Sequence, residues 1–224
     1  MEPLTDAEFQ ALGAWPTPAI ANAIEEFDVR PRNEGFMLGI RCMYPEFEPM
    51  VGYACTATIV ANTPLPKGDW GGTPQHWANI HATQGPRIVV IQDLDEPKCI
   101  GSLWGEVNGN IHKALGCLGV ITDGGVRDLD EVRDLIFHFF AADVIPTHAY
   151  AHIVDAAIPV TVGGLLVNNG DLLHADKHGV VSIPHDIARE VPDACKKVED
   201  GERRIIDYCQ SPDYNAEDFM MGKY

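Results

Sequence analysis

Residues 118–128 read LGVITDGGVRD, and this stretch decides how the rest of the chain is read. Its first half, Leu118-Gly-Val-Ile-Thr122, is a short apolar run of the kind that forms a buried strand. Gly124 and Gly125 then turn the backbone, because glycine reaches φ > 0 and lets another group approach closely. An amphipathic stretch from Leu129 to Phe139 follows and predicts a helix. The whole is strand, glycine turn and helix start, with Arg127 and Asp128 side by side at the turn. A helix start presents unpaired N–H groups. A guanidinium matches a carboxylate, and a carboxylate suits a hard cation. The turn is therefore a candidate site for an anionic substrate chelated to a divalent metal.

Upstream, RIVVIQ (87–92), bounded by Pro86 and Asp93, predicts a second buried strand, and CTATIV (55–60) a third. Helices are expected between them, from Gln75 to Thr83 and from Glu106 to Leu115. This alternation favours right-handed βαβ units and a partly parallel sheet. Thr5-x-x-Glu8 reads as a capping box opening a helix to Leu12, and Thr17-Pro18 opens another to Phe27. Residues 30–50 read as irregular structure or short strands, and 64–74 as a Gly/Pro/Trp loop. Beyond residue 140 short strands are expected at 143–146, 158–162, 165–167, 172–175 and 180–183, then a charged helix. The expectation is one α/β domain over 1–224, with a mixed sheet and a C-terminal helical extension at about 185–210.

The chain has 224 residues, 46% of them hydrophobic, enough for a sizeable core. Its formal charge of −17, with no Lys/Arg-rich block, argues against nucleic-acid binding. An acidic substrate would need a local cation, either Arg127 or a metal. The six cysteines show no CxxC spacing and read as reduced core thiols. MEPLTDAEFQ carries no signal pattern, and no apolar run approaches the roughly 18 residues of a membrane span. A cytoplasmic protein with no membrane partner is expected.

Trp104-Gly105-Glu106, then twenty residues, then Arg127-Asp128 resembles the acidic-X20-Arg-Asp motif of the RraA-like family. That family comprises 4-hydroxy-4-methyl-2-oxoglutarate aldolases and the regulators of ribonuclease activity A. IPVTVGGLLV (158–167) and GDLLHAD (170–176), ending in GVVSIP (179–184), are similar to its C-terminal strands, and Thr17-Pro18 to its start. The resemblance implies a swivelling-type β/β/α fold, assembled as a homotrimer or homohexamer with sites near subunit interfaces. It implies a class II aldolase, dependent on Mg²⁺ or Mn²⁺, that cleaves a 4-hydroxy-2-oxo acid to pyruvate through its enolate. Oxaloacetate decarboxylation is the side activity that goes with it. The backbone of Gly105, Glu106, Val107 and Asn108 would hold substrate, Arg127 would contact it, and Asp128 would ligate the metal. In longer members an acidic residue of the C-terminal helix reaches a neighbouring site, a role open here to Glu199 or Glu202.

Glu106 stands where Asp is commoner in the family, and Val107-Asn108 replaces Leu-Leu. The loop 68–75 is rich in Trp and Gly, and THAYAH (147–152) replaces a Ser/Arg-rich segment. These departures bear on substrate identity. Two other functions stay open: a non-catalytic regulator of a ribonuclease, and a lyase or isomerase acting on another 2-oxo or sugar acid.

Each candidate residue also has a plainer role. Asp128 could N-cap the helix at Leu129, and Arg127 could pair with Asp123 or Asp130. Glu106, expected to orient water or move the C4-hydroxyl proton, could simply favour a helix dipole. Asp123 has a competing claim on the metal. His148 and His152, four apart, could chelate zinc on a helix or line the pocket. His76, His81, His112, His174 and His178 read as surface or ordinary core histidines. Trp70, Trp77 and Trp104 read as packing.

Overall fold

The structure is a computed structural model and describes residues 2–222; positions 1, 223 and 224 of the expected unit lie outside the described residues. Two helices come first, α1 (Asp6–Gly13) and α2 (Thr17–Glu25). The expected capping box opens α1: Glu8 N–H donates to the Thr5 hydroxyl, and the Glu8 carboxylate accepts from the Thr5 N–H at 2.7 Å. After β1 (Arg41–Cys42), three crossovers follow. β2 (Met50–Val60) leads through α3 (Thr73–Ala82) to β3 (Arg87–Asp93), and α4 (Glu106–Ala114) leads to β4 (Cys117–Thr122). The turn then forms β5 (Gly125–Val126), and α5 (Leu129–Asp134) leads to β6 (His138–Ala141).

The helix expected from Leu129 to Phe139 therefore stops at Asp134. Ile136 takes a left-handed backbone (φ 52°), and the aromatic run beyond it becomes a strand. Phe139 and Phe140 are both fully buried, on opposite faces of the sheet. Burying each stabilises the fold by roughly 1.5–3 kcal/mol. That tertiary gain outweighs the helical spacing of Leu129, Val132 and Leu135.

The rest of the chain is β7 (Asp143–Val144), β8 (His152–Ala156), β9 (Val160–Val162), β10 (Leu165–Val167), β11 (Leu172–Asp176) and β12 (Gly179–Ile183), then α6 (Val191–Gln210) and α7 (Ala216–Met220). β8 and α7 had no counterpart in the sequence reading. The main sheet runs β1-β6-β4-β3-β2-β11-β12. Its centre, β2-β3-β4-β6, is parallel, and its other pairings are antiparallel. β2 is long enough to serve two antiparallel neighbours, β11 along its first half and β8 along its second. This is the expected α/β class, a nearly closed mixed sheet with a C-terminal helix.

Successive residues of β3 feed opposite faces, as strand geometry requires. Val89 and Ile91 join Trp104, Phe137 and Phe139. Ile88 and Val90 join Phe140, Val160 and Val167. A third cluster packs α1, α2 and α6 against Val51, Leu172 and Ile183. Among the described residues no helix is long and apolar enough to cross a membrane. All six cysteines are free thiols; Cys55, Cys117 and Cys195 are buried, whereas Cys209 is exposed.

Candidate active site at the strand ends

The parallel strands β3 and β4 end side by side, and the loops leaving them build the site. This is where open α/β sheets bind ligands. The loop 94–105 delivers the start of α4, and the glycine turn 123–128 delivers Arg127 and Asp128. A short parallel bridge joins Trp104 to Val126, and the Arg127 N–H donates to the Trp104 carbonyl at 3.0 Å. Ser102 locks the two loops together from below: its buried Oγ lies 2.7 Å from both the Trp104 and Gly125 carbonyls.

Asp128 is the centre of this arrangement. Its backbone is left-handed (φ 56°, ψ 48°), a conformation uncommon outside glycine but tolerated by Asp. Although it occupies the N-cap position of α5, its side chain makes no cap there. Its Oδ2 instead accepts from the Glu106 N–H, the first donor of α4, at 3.0 Å. The N-cap alternative is thus wrong in direction, since the carboxylate caps the other helix. Gly105 makes this possible: a Cβ there would lie 2.4 Å from Asp128 Oδ2. Gly125 is needed for a similar reason, because a Cβ there would lie 2.6 Å from the Ile145 side chain.

Arg127 makes neither of the ion pairs considered for it. Asp123 pairs with Lys98 at 3.1 Å and Asp130 with Arg133 at 3.0 Å. Arg127 Nη1 keeps only a 3.5 Å contact to Asp128 Oδ1, while its Nε is buried without a partner. Leaving such a donor unpaired costs about 1–3 kcal/mol or more. Glu106 and Val107 are exposed on the first turn of α4, with Val107 69% exposed. Asn108 turns its side-chain amide inward, to the Leu103 carbonyl at 2.7 Å, so only its backbone faces outward. The helix itself leaves the N–H groups of Val107 and Asn108 without partners. The structure therefore brings Gly105, Glu106, Val107, Asn108, Arg127 and Asp128 into one open shelf.

Asp123 points away from this shelf. Its Oδ1 accepts from the Asp93 N–H at 2.7 Å and its Oδ2 meets Lys98. Asp93 is fully buried; burial pushes its carboxyl up, against the pull of the Cys99 and Asp95 N–H groups. This Asp93–Lys98–Asp123 knot shapes the loop; Asp123, a rival metal candidate by sequence, is occupied in it, and nothing in the sequence points to Asp93 or Lys98. His148 and His152 are not on a helix: His148 lies in a turn and His152 opens β8. Their Nδ1 atoms lie 2.6 and 2.8 Å from the Ala149 and Tyr150 carbonyls, and the zinc arrangement does not form. Among the described residues no group of three or more His, Cys, Asp or Glu is placed to hold a metal. Glu199 meets Lys196 and Glu202 meets Asn22, on the side where α6 packs against α2.

The strand-end shelf on a mixed sheet defines an α/β protein with an exposed helix start beside an Arg-Asp pair. Comparison with known proteins gives the family. The RraA-like family profile, Aldolase/RraA, matches residues 17–182, and the chain belongs to that family. It is 30% identical, over 57% of its length, to 60% of a Halalkalibacterium halodurans protein provisionally named 4-hydroxy-4-methyl-2-oxoglutarate aldolase. The chain spans less than two thirds of the length of the curated relatives it matches. A crystal structure of an uncharacterized protein from Pseudomonas syringae pv. tomato shares the fold, with TM-score 0.75, 22% identity, and 99% and 96% of the two chains covered. So does Streptomyces coelicolor RraAS2, described as an unusual member of the RNase ES inhibitor RraA family, with TM-score 0.70, 22% identity, and 90% and 97% covered.

Proposed function

We propose that this chain is a divalent-metal-dependent lyase that cleaves a 4-hydroxy-2-oxo acid to pyruvate. The observation that carries the reading is the pairing of Arg127, whose buried Nε lacks a partner, with an Asp128 that caps no helix of its own. Strained or unsatisfied groups persist where a ligand gives them a purpose. Support also comes from the aldolase name of the Halalkalibacterium halodurans relative.

The donor set fits a hard cation. Asp128 offers one carboxylate, with Oδ2 engaged by Glu106 and Oδ1 only loosely held by Arg127. A single carboxylate suits Mg²⁺ or Mn²⁺, which keep most of their waters. When bound there, such an ion supplies Lewis-acid polarisation of the C2 carbonyl. The N–H groups of Val107 and Asn108 hold the C1 carboxylate at the positive end of α4. Arg127 donates toward the C2 oxygen as negative charge grows on it. Glu106, directly or through one water, takes the C4-hydroxyl proton. The C3–C4 bond then breaks, C4 leaves as a carbonyl, and its electron pair forms the pyruvate enolate. Proton return to C3 gives pyruvate. Oxaloacetate would lose CO₂ through the same enolate.

The shelf is open on the Val107 side, so we also propose a homotrimer or homohexamer in which a neighbour walls it, with Glu199 or Glu202 as the reaching acid. The test is pyruvate release from 4-hydroxy-4-methyl-2-oxoglutarate and from oxaloacetate, with Mg²⁺, with Mn²⁺ and with EDTA. EDTA-sensitive release supports the lyase. Silence with both substrates sinks it and favours a ribonuclease-binding role or a different acid substrate.

A further inference from the structure

His76 and His112 form a buried pair that the chemistry above does not use. Both rings are fully buried, with their Nε2 atoms 3.0 Å apart. His112 Nδ1 lies 2.7 Å from the Asn108 carbonyl. A carbonyl can only accept, so His112 Nδ1 carries a proton. Burial pushes His112 down to about 4 and His76 down to about 3, which keeps both rings neutral at neutral pH. A neutral His112 protonated at Nδ1 has a bare Nε2, and that atom accepts from His76 Nε2–H. One backbone carbonyl thus orders the protons along the line from His76 to His112 to Asn108. The line leaves His76 Nδ1 bare, buried and without a partner.

This line ends on the anion-binding turn. The peptide whose carbonyl His112 grips also carries the Gly109 N–H, which donates to the Gly105 carbonyl at 2.8 Å. Asn108 ties the same turn to Leu103 through its side chain. The Trp104 indole lies against the His112 ring, centroids 4.6 Å apart. His112 therefore touches the turn at its carbonyl, and through Trp104 it touches the segment that bonds Arg127. Hydrogen bonds in such chains polarise and orient one another.

We propose that His112, kept in its Nδ1–H form by the Asn108 carbonyl and accepting from His76 at Nε2, is a positioning residue that fixes the first turn of α4 for a substrate carboxylate. The identity of that carboxylate rests on the proposed function; the proton order and its hold on the turn do not. A ring that merely packed against Trp104 could be replaced by Phe without consequence for the turn.

The experiment compares wild type with His112→Phe and His112→Asn, the latter keeping a donor near the Nδ1 position. Imidazole nitrogen shifts report the tautomers, amide exchange at Gly109 reports the turn, and pyruvate-release kinetics report the site. Expected are Nδ1–H for His112, Nε2–H for His76, and faster Gly109 exchange in His112→Phe. The KM should rise about tenfold in His112→Phe and stay within about threefold in His112→Asn, the scale of one hydrogen bond. An Nε2–H His112, or a folded His112→Phe with wild-type Gly109 exchange, overturns the proposal. If His112→Phe does not fold, the wild-type protein decides: an Nδ1–H His112 with a scalar coupling across its bond to the Asn108 carbonyl supports it, and an Nε2–H His112 or no such coupling overturns it. A wild type that releases no pyruvate defeats the lyase reading alone, because the tautomer and exchange results still stand.

Discussion

Two helices of this protein are capped from a distance by an aspartate, and the two caps differ in one respect. Asp176 Oδ2 accepts from the Thr17 N–H at the start of α2, and Asp128 Oδ2 from the Glu106 N–H at the start of α4, both at 3.0 Å. Asp176 is 6% exposed, and its Oδ1 is filled by the His178 N–H at 2.8 Å and the His178 ring at 3.0 Å. Asp128 has a side chain 29% exposed and an Oδ1 with only the 3.5 Å contact to Arg127. The same device is closed in one place and open in the other. A carboxylate whose lone pairs are all occupied holds structure together; one left half-free, on a left-handed backbone, is available for chemistry.

The largest effect expected from this contrast is on Asp128. Asp128→Asn removes the charge but leaves an oxygen for the Glu106 N–H. Pyruvate release should fall by about three orders of magnitude or more, reflecting several kcal/mol of lost charge stabilisation. Melting should shift little, because a cap contributes about 1 kcal/mol. Wild-type turnover in this variant would remove the metal assignment. Arg127→Lys comes next. It keeps the charge and loses the planar fork, so turnover should fall by about a hundredfold. Near-normal turnover would mean that charge alone matters at this position.

The opposite pattern is expected at the closed cap. Asp176→Ala strands two donors, the Thr17 and His178 N–H groups. It should destabilise the fold by about 1–3 kcal/mol, a fall in Tm of roughly 2–10 °C, with KM and kcat unchanged while folded. A catalytic defect without a stability defect would show that the two caps are not opposites after all.

Much of this was legible in the sequence, and the gaps have physical causes. Strand 118–122, the glycine turn and the α4 start could be read because local preference and tertiary demand agree there. The segment 135–141 misled because Leu129, Val132, Leu135 and Phe139 share a helical spacing while the sheet needs a strand. Among the site residues, Gly105, Glu106, Arg127 and Asp128 could be named from spacing and resemblance. The direction of the Asp128 carboxylate could not, since it depends on a positive φ that a lone Asp does not advertise. Nor could the His76–His112 contact, which joins two helices 36 positions apart with no motif around either ring. Asp176 reads by sequence only as part of a strand, because its partner Thr17 lies 159 residues away.

The smallest effect sharpens the same comparison through pH. Burial by itself would raise the Asp176 carboxyl, but the N–H donors of His178 and Thr17 and the His178 ring outweigh it, and the net shift is downward from 3.8. A carboxyl whose folded pKa is depressed contributes stability that is present above the unfolded value and lost as pH falls through the folded value. The stability gap between wild type and Asp176→Asn should therefore close as pH falls below about 4. Denaturant unfolding of both proteins across that range measures the gap directly, with the other carboxylates cancelling in the difference. A gap that widens below about pH 4 would mean that Asp176 is not held ionised by its donors, and the closed cap would then be a neutral contact.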